Sequence, residues 1–205
     1  THPEETYLLG KVNKMYITTD GISSLANNFN ERPKNLPAPV VKLGTINFTG
    51  EISGFFDNLV AFGKLSSSIG SIQTDLIFGS NKDKNIAAYL RGRIASSNLR
   101  LHELFGENNP FGEARFDINI DTRRPVGGNF SGNIQAQVKE FDYKAYKYKD
   151  INLSGNFKKS SFDGTIHVND PNGELYAQGI FQHQILAVLQ FGAYRQVAQQ
   201  VDFTA

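Results

Sequence analysis

The sequence predicts a mainly β protein: a curved, elongated antiparallel sheet that forms an open, taco-like groove, with one or two short helices. Three observations predict it. Apolar and polar residues alternate with a period of two over much of the chain, turn-forming residues separate the alternating runs, and one short strand template containing glycine recurs. Alternation of this kind puts one set of side chains on an apolar face and the other in water, as half-buried antiparallel strands require.

From the N-terminus, the first predicted element is helical. Ile22, Leu25, Ala26 and Phe29 stand at i, i+3, i+4 and i+7, with Asp20 or Ser23 as the cap. Pro33, Pro37 and Pro39 then exclude a regular element, and 30–40 reads as a crossing loop. Strand patterning resumes at Val40 and persists, which favours one continuous sheet over two domains. Leu99, Leu101 and Leu104 place a second short helical turn at 98–104. Beyond it, Phe116, Ile118 and Ile120 alternate with Asp117 and Asn119, and Ile134, Ala136 and Val138 with Gln135 and Gln137. Ile151 and Leu153 flank Asn152, and Ile166 and Val168 flank His167. Asn169-Asp170-Pro171-Asn172-Gly173 predicts a tight hairpin joining 165–168 to 174–179. Pro171 presets φ there, while Asn172 and Gly173 tolerate φ > 0. Gly54, Gly70 and Gly127-Gly128 mark further turns. Over 190–200, Ala193, Val197 and Ala198 have helical spacing but Gly192 interrupts it.

The recurring template is apolar, x, apolar, x, Gly, x, apolar. Residues 46–52, 88–94 and 151–157 fit it, and 130–134 and 175–181 match in part. Its glycines, at 50, 92, 132, 155 and 179, suggest a hairpin unit of about 20–24 residues, within the range of stacked repeats. Ordinary strand bends offer a simpler origin for the same glycines. In either reading, a position without Cβ lets a long sheet bend.

Composition narrows the function classes. Hydrophobic residues make up 40% and charged residues 20%, enough apolar material for a folded chain rather than a disordered one. Lys+Arg 21 against Asp+Glu 20 leaves a net charge of +1 and no dense basic run, so a nucleic-acid partner is not expected. The chain has no cysteine, which excludes disulfide scaffolds and thiol chemistry. The longest strictly apolar run, 185–189, is far shorter than the ~20 residues of a membrane span. His2, His102, His167 and His183 stand singly, and His167 reads as a solvent-facing strand residue. Asp163, Asp170 and Glu174 surround turns, and no nucleotide-loop or nucleophile-elbow motif is present. No catalytic group, metal or cofactor is therefore predicted, and the chain is not read as an enzyme. In 139–149, Lys139, Lys144, Lys147 and Lys149 interleave with Phe141, Tyr143, Tyr146 and Tyr148. The reading preferred for it is a solvated strand face whose lysines discourage edge pairing.

Two segments carry a resemblance. Tyr148-Lys149-Asp150-Ile151-Asn152-Leu153-Ser154-Gly155-Asn156-Phe157, then Phe162-Asp163-Gly164-Thr165-Ile166-His167-Val168-Asn169-Asp170-Pro171-Asn172-Gly173-Glu174-Leu175, resembles a recurring line of the TamB translocation and assembly module family in its Bacteroidetes form. Residues 43–50 with 60–65 and 69–70, and 91–99 with 104–106, are similar to that family's paired strands and its strand and short-helix element. The resemblance covers about residues 40–185 and implies a single β-groove segment, 1–205, from a longer envelope-biogenesis protein, akin to AsmA-like repeating β-groove proteins. It implies a periplasmic place, an inner-membrane anchor and an Omp85-type outer-membrane barrel partner, the last two through the full-length protein.

For such a groove the expected occupant is a phospholipid or another acyl-chain ligand, or outer-membrane protein segments. Exposing an acyl chain of about sixteen carbons to water costs roughly 12 kcal/mol, at ~0.8 kcal/mol per CH₂. About twelve strands spaced ~4.8 Å apart would extend a trough by roughly 60 Å. The candidate lining is Ile46, Phe48, Ile52, Leu90, Ile94, Phe116, Ile118, Ile120, Ile134, Val138, Ile151, Leu153, Ile166, Val168 and Leu175. Packing of these residues against one another in a closed core is the plain alternative. The alternative function is a carbohydrate-binding or adhesin-type β-sandwich, which would gather Tyr89, Tyr143, Tyr146 and Tyr176 on one exposed platform.

Overall fold

The computed structural model describes residues 6–21, 24, 41–55, 57–81, 83–106 and 109–182. Ten strands form one antiparallel sheet in sequence order: β1 (Tyr7–Ile17), β2 (Ile46–Phe55), β3 (Asn58–Ser67), β4 (Gly70–Asn81), β5 (Ile86–Arg100), β6 (Phe111–Pro125), β7 (Ser131–Tyr143), β8 (Tyr146–Lys158), β9 (Ser161–Asp170) and β10 (Gly173–Gln182). β1 and β10 are its two edges, and the sheet is open. A short helix, α1 (Leu101–Phe105), lies between β5 and β6 and packs on β6. Each strand packs substantially only on its neighbours, so the described sheet is a single layer.

Two-residue turns build four of the connections, 68–69, 144–145, 159–160 and 171–172, and Phe55 pairs with Asn58 where β2 meets β3. Lys144 and Ala145 have φ of 49° and 62°, the two positive values of a type I′ turn, whose twist matches that of the strands. The hairpin expected at 169–173 is present, with Asp170 paired to Gly173. It differs in one respect: neither Asn172 nor Gly173 takes a positive φ. The Asp170 carboxylate accepts the Asn172 N–H at 3.0 Å and holds the turn in an ordinary Asx form.

Three further expectations are corrected or bounded. The second helix starts at Leu101 rather than 98, because Leu99 and Arg100 still pair with Ala114 and Glu113. The Arg100 N–H also donates to the Ile69 carbonyl at 2.8 Å. The lysine-rich stretch 139–149 is not at an edge. It forms the inner hairpin β7–β8, with β6 and β9 paired on either side. Thr19, Asp20, Gly21 and Ser24 are helical. The rest of the predicted first helix, the crossing loop 30–40 and the segment 190–200 lie outside the described residues.

Glycine and phenylalanine together shape the middle of the sheet. Gly50 faces Gly63 across β2–β3, and Gly155 faces Gly164 across β8–β9. A Cβ added at Gly164 would lie 2.3 Å from the Ser154 carbonyl oxygen and 2.6 Å from the Gly155 Cα. Aromatic rings occupy the space above both pairs. The same Cβ would stand 2.8 Å from Phe162 Cζ, and one at Gly63 would stand 2.9 Å from Phe48 Cε2. Phe48 and Phe162 are thereby 3% and 5% exposed, buried against backbone rather than against a second layer. The template glycines do not mark equal units: Gly132 to Gly155 spans one strand step, and Gly155 to Gly179 spans two.

These contacts give a graded expectation for urea unfolding. Gly164→Ala should cost at least about 2 kcal/mol through the backbone clash. Phe162→Ala should cost about 2–4 kcal/mol by uncovering the glycine pair. Gly173→Ala, with no atom within 4 Å of its Cβ, should stay within about 0.5 kcal/mol. Equal tolerance of alanine at 164 and 173 would contradict the close approach.

Candidate functional site

Cross-strand partners share a face of the sheet, so the register shows which residues lie together. Four consecutive rows of ten residues each cross the whole sheet from β1 to β10. The first row contains Phe48, Phe116, Val138, Ile151, Val168 and Leu175. The second contains Ile94, Ile118, Leu153 and Ile166, and the third Ile52, Ile120 and Ile134. Leu90 is in the fourth, and Ile46 lies one step beyond the first, opposite Ile17. All fifteen predicted lining residues thus occupy one face.

The four rows contain no charged side chain and no amide. Their only polar side chains are Thr74, Ser96 and Thr122, which are 7%, 6% and 4% exposed. Each hydroxyl donates to a carbonyl of a neighbouring strand: Thr74 to Gly63 at 3.4 Å, Ser96 to Ser71 at 2.7 Å, and Thr122 to Leu90 at 3.3 Å. Polar groups on this side are therefore satisfied within the backbone and leave the surface apolar.

Four polar doublets and the pair Gly112-Glu113 break the alternation, and the backbone absorbs each break. The strands carry extra residues at Asn13-Lys14, Ser97-Asn98 and Gly112-Glu113, where the register shifts. A further shift lies opposite Lys139-Glu140. In β8, Asp150 drops out of the pairing with a φ of 47°, beside Lys149. A bulge of this kind puts both members of a doublet on the polar side and returns the next residue to the apolar side. Leu99, Ala114, Phe141 and Tyr148 then continue the apolar face as partners of one another. Phe111 lies against Phe105, Phe141 and Tyr143 with ring centroids 5.8 Å apart in each case, so α1 and these aromatics cover one end of the face.

From β5 to β9 the opposite face is polar. Asp117, Gln137, Asn152 and His167 form one row, and Arg93, Asn119, Gln135, Ser154 and Thr165 the next. Arg93 bonds to Asp117 through two N–H groups, one at 2.8 Å, and this contact holds the Asp117 carboxyl below its usual range. His167 Nε2 lies 2.9 Å from Glu174, on the solvent-facing side as expected. Lys147 reaches Asp142 at 3.4 Å and Glu140 at 3.7 Å. Phe62 and Ile77 interrupt this face on β3 and β4, where they are 60% and 37% exposed. The four tyrosines of the sandwich alternative are divided: Tyr89 and Tyr176 project with the polar rows, Tyr143 and Tyr146 with the apolar ones.

Sequence reasoning missed part of the apolar face, including Met15, Leu65, Ile72 and Leu76. β3 reads Leu59-Val60-Ala61-Phe62, an unbroken apolar run whose parity only the partner strand decides. Among the described residues, no group of three or more His, Cys, Asp or Glu side chains is arranged to hold a metal ion, and no helix is long and apolar enough to cross a membrane. Compared with family models, curated proteins and solved structures, the chain matches none.

The Asp170 carboxylate joins β8 to the β9–β10 turn. It accepts from the Tyr146 hydroxyl, from Asn172 N–H and, at 2.9 Å, from Lys149 N–H. The Tyr146 bond first, then the backbone bonds, hold its pKa below the ordinary value. A lowered folded-state pKa adds stability above the unfolded value, about 3.9, and loses it as pH falls through the folded one. Wild type should therefore lose more thermal stability than Asp170→Asn between about pH 5 and pH 2. Parallel losses in both proteins would contradict this role.

Proposed function

We propose that the apolar face holds acyl chains, and that the chain is a β-groove segment of a TamB-like envelope-biogenesis protein. In this reading it works in the periplasm, within a longer protein anchored in the inner membrane and partnered by an Omp85-type outer-membrane barrel. The mechanism is passive shielding, with no bond made or broken. The cargo is phospholipid or a comparably apolar segment of an outer-membrane protein.

One observation carries the reading: four rows cross ten strands without a charge or an amide, and no second layer covers them among the described residues. At ~4.8 Å between strands and ~6.8 Å between rows, they span roughly 43 Å by 20 Å, on the order of 900 Å². A monomer's largest apolar patch is commonly about 300–600 Å², and larger ones mark binding surfaces. Leaving this face in water is costly, whereas an acyl chain laid on it removes apolar area from both partners. The rows continue unbroken to both edge strands, so a chain can move along the surface without crossing a polar barrier. The sandwich alternative gains no comparable support, since its tyrosines are divided between the faces.

The test is binding of a fluorescent fatty-acid probe to the purified protein. Wild type should bind saturably and copurify with phospholipid. Ile118→Glu and Ile151→Glu should weaken probe binding about tenfold or more, because a buried carboxylate opposes acyl contact. Arg93→Gln on the opposite face should leave binding unchanged, which separates a surface effect from misfolding. A folded wild type that binds neither probe nor lipid would overturn the proposal.

A further inference from the structure

A second feature lies on the opposite, polar face, at the strand ends nearest the β4–β5, β6–β7 and β8–β9 turns. Tyr89, Arg123, Ser131 and Lys158 are successive partners across β5, β6, β7 and β8. The next row inward is Arg91, Asp121, Asn133 and Asn156. With Lys84 they line an open depression of about 730 Å³. Four cationic side chains meet one carboxylate there, and Arg91 holds that carboxylate, on Asp121, at 2.9 Å. Lys84, Arg123 and Lys158 form no ion pair among the described residues, unlike Arg93 and Lys147 on the same face. Among the described residues, Ser131, between Arg123 and Lys158 in the row, forms no side-chain hydrogen bond, and neither do Asn133 and Asn156 beside it.

We propose that this depression binds a phosphorylated polyol, with the phosphate between Arg123 and Lys158 over Ser131 and the hydroxyls on Asn133 and Asn156. Two strand steps separate Arg123 from Lys158 by about 10 Å between Cα atoms, so two long cationic side chains can close on one dianion from opposite sides. The Ser131 hydroxyl supplies a donor on the row between them. Side-chain amides offer both donors and acceptors, which suits hydroxyls that do both. Unpaired cations at this spacing repel one another, and an anion removes that repulsion. The phosphate ester can belong to a lipid headgroup or to a soluble compound. Its charged and amide side chains project opposite to the apolar rows, so the site is tested independently of acyl-chain binding.

The experiment is an NMR titration of the whole chain with glycerol 3-phosphate, inorganic phosphate and glycerol, alongside sedimentation with phosphatidylglycerol vesicles. Glycerol 3-phosphate should shift the amides of Arg123, Ser131, Asn133 and Lys158 saturably. Its affinity should fall severalfold from about 0.05 M to 0.5 M salt, because these side chains are exposed to screening. The Arg123→Gln/Lys158→Gln double variant should lose affinity by about tenfold or more while keeping its fold and its acyl-probe binding. Retention on vesicles by wild type but not by the double variant places the phosphate on a lipid, and saturation without retention places it on a soluble ester. Either result supports the site. Equal affinity for inorganic phosphate overturns the polyol part, and shifts absent from these amides or unchanged in the double variant overturn the whole.

Discussion

The sheet depends on keeping its alternation in phase across ten strands. A strand slipped by one residue against its neighbour would turn its apolar side chains to the polar face and bring polar ones into the rows. A single-layer sheet has no second layer to correct such an error, so the register must be fixed strand by strand. Tight turns fix it at four described connections, 144–145 through two positive φ values and 171–172 through the Asp170 carboxylate. Bulges fix it elsewhere, by taking up pairs such as Ser97-Asn98 and Gly112-Glu113 without turning the flanking apolar residues outward.

Stability in such a sheet has to come from within the layer. Phe48 and Phe162 bury their rings against facing glycine pairs, a contact that needs only backbone and one aromatic. The hydroxyls of Thr74, Ser96 and Thr122 turn to backbone carbonyls for the same reason. Neither device calls for residues above the sheet, and both leave the outward surface free of charge and amide. The compact aromatic group of Phe105, Phe111, Phe141 and Tyr143 closes only one end. Between that end and the far turns, the middle of the face has no protein above it among the described residues. Low internal burial and a wide apolar surface are therefore two consequences of one design, and the proposed acyl shielding would give that surface a use.

Much of this was legible in the sequence because the signal is local. Where alternation was clean, as in Phe116-Asp117-Ile118-Asn119-Ile120, parity alone placed side chains correctly, and the fifteen expected lining residues share a face. The hairpin at Asp170-Pro171-Asn172-Gly173 was legible for the same reason. What failed was information carried by partners. The run Leu59-Val60-Ala61-Phe62 has no parity of its own, so its contribution was missed. The lysines of 139–149 suggested an edge, but whether a strand is at an edge depends on neighbours far away in sequence. Arg123 and Lys158 are brought together only by the β6–β7–β8 register, and no motif links them along the chain. The functional setting proposed above rests on the resemblance to TamB-like strands, while what the sheet itself shows is one apolar and one polar face.

Adjacent residues on opposite faces allow the central claim to be measured directly, and the chain's lack of cysteine makes single-site labelling clean. An environment-sensitive dye would be placed at Ile134→Cys on the apolar rows and, separately, at Gln135→Cys on the polar ones. On addition of phospholipid, the account predicts a blue shift and protection from an aqueous quencher at position 134, with no change at 135. Equal responses at both positions, or none at 134 in a folded protein, would contradict it.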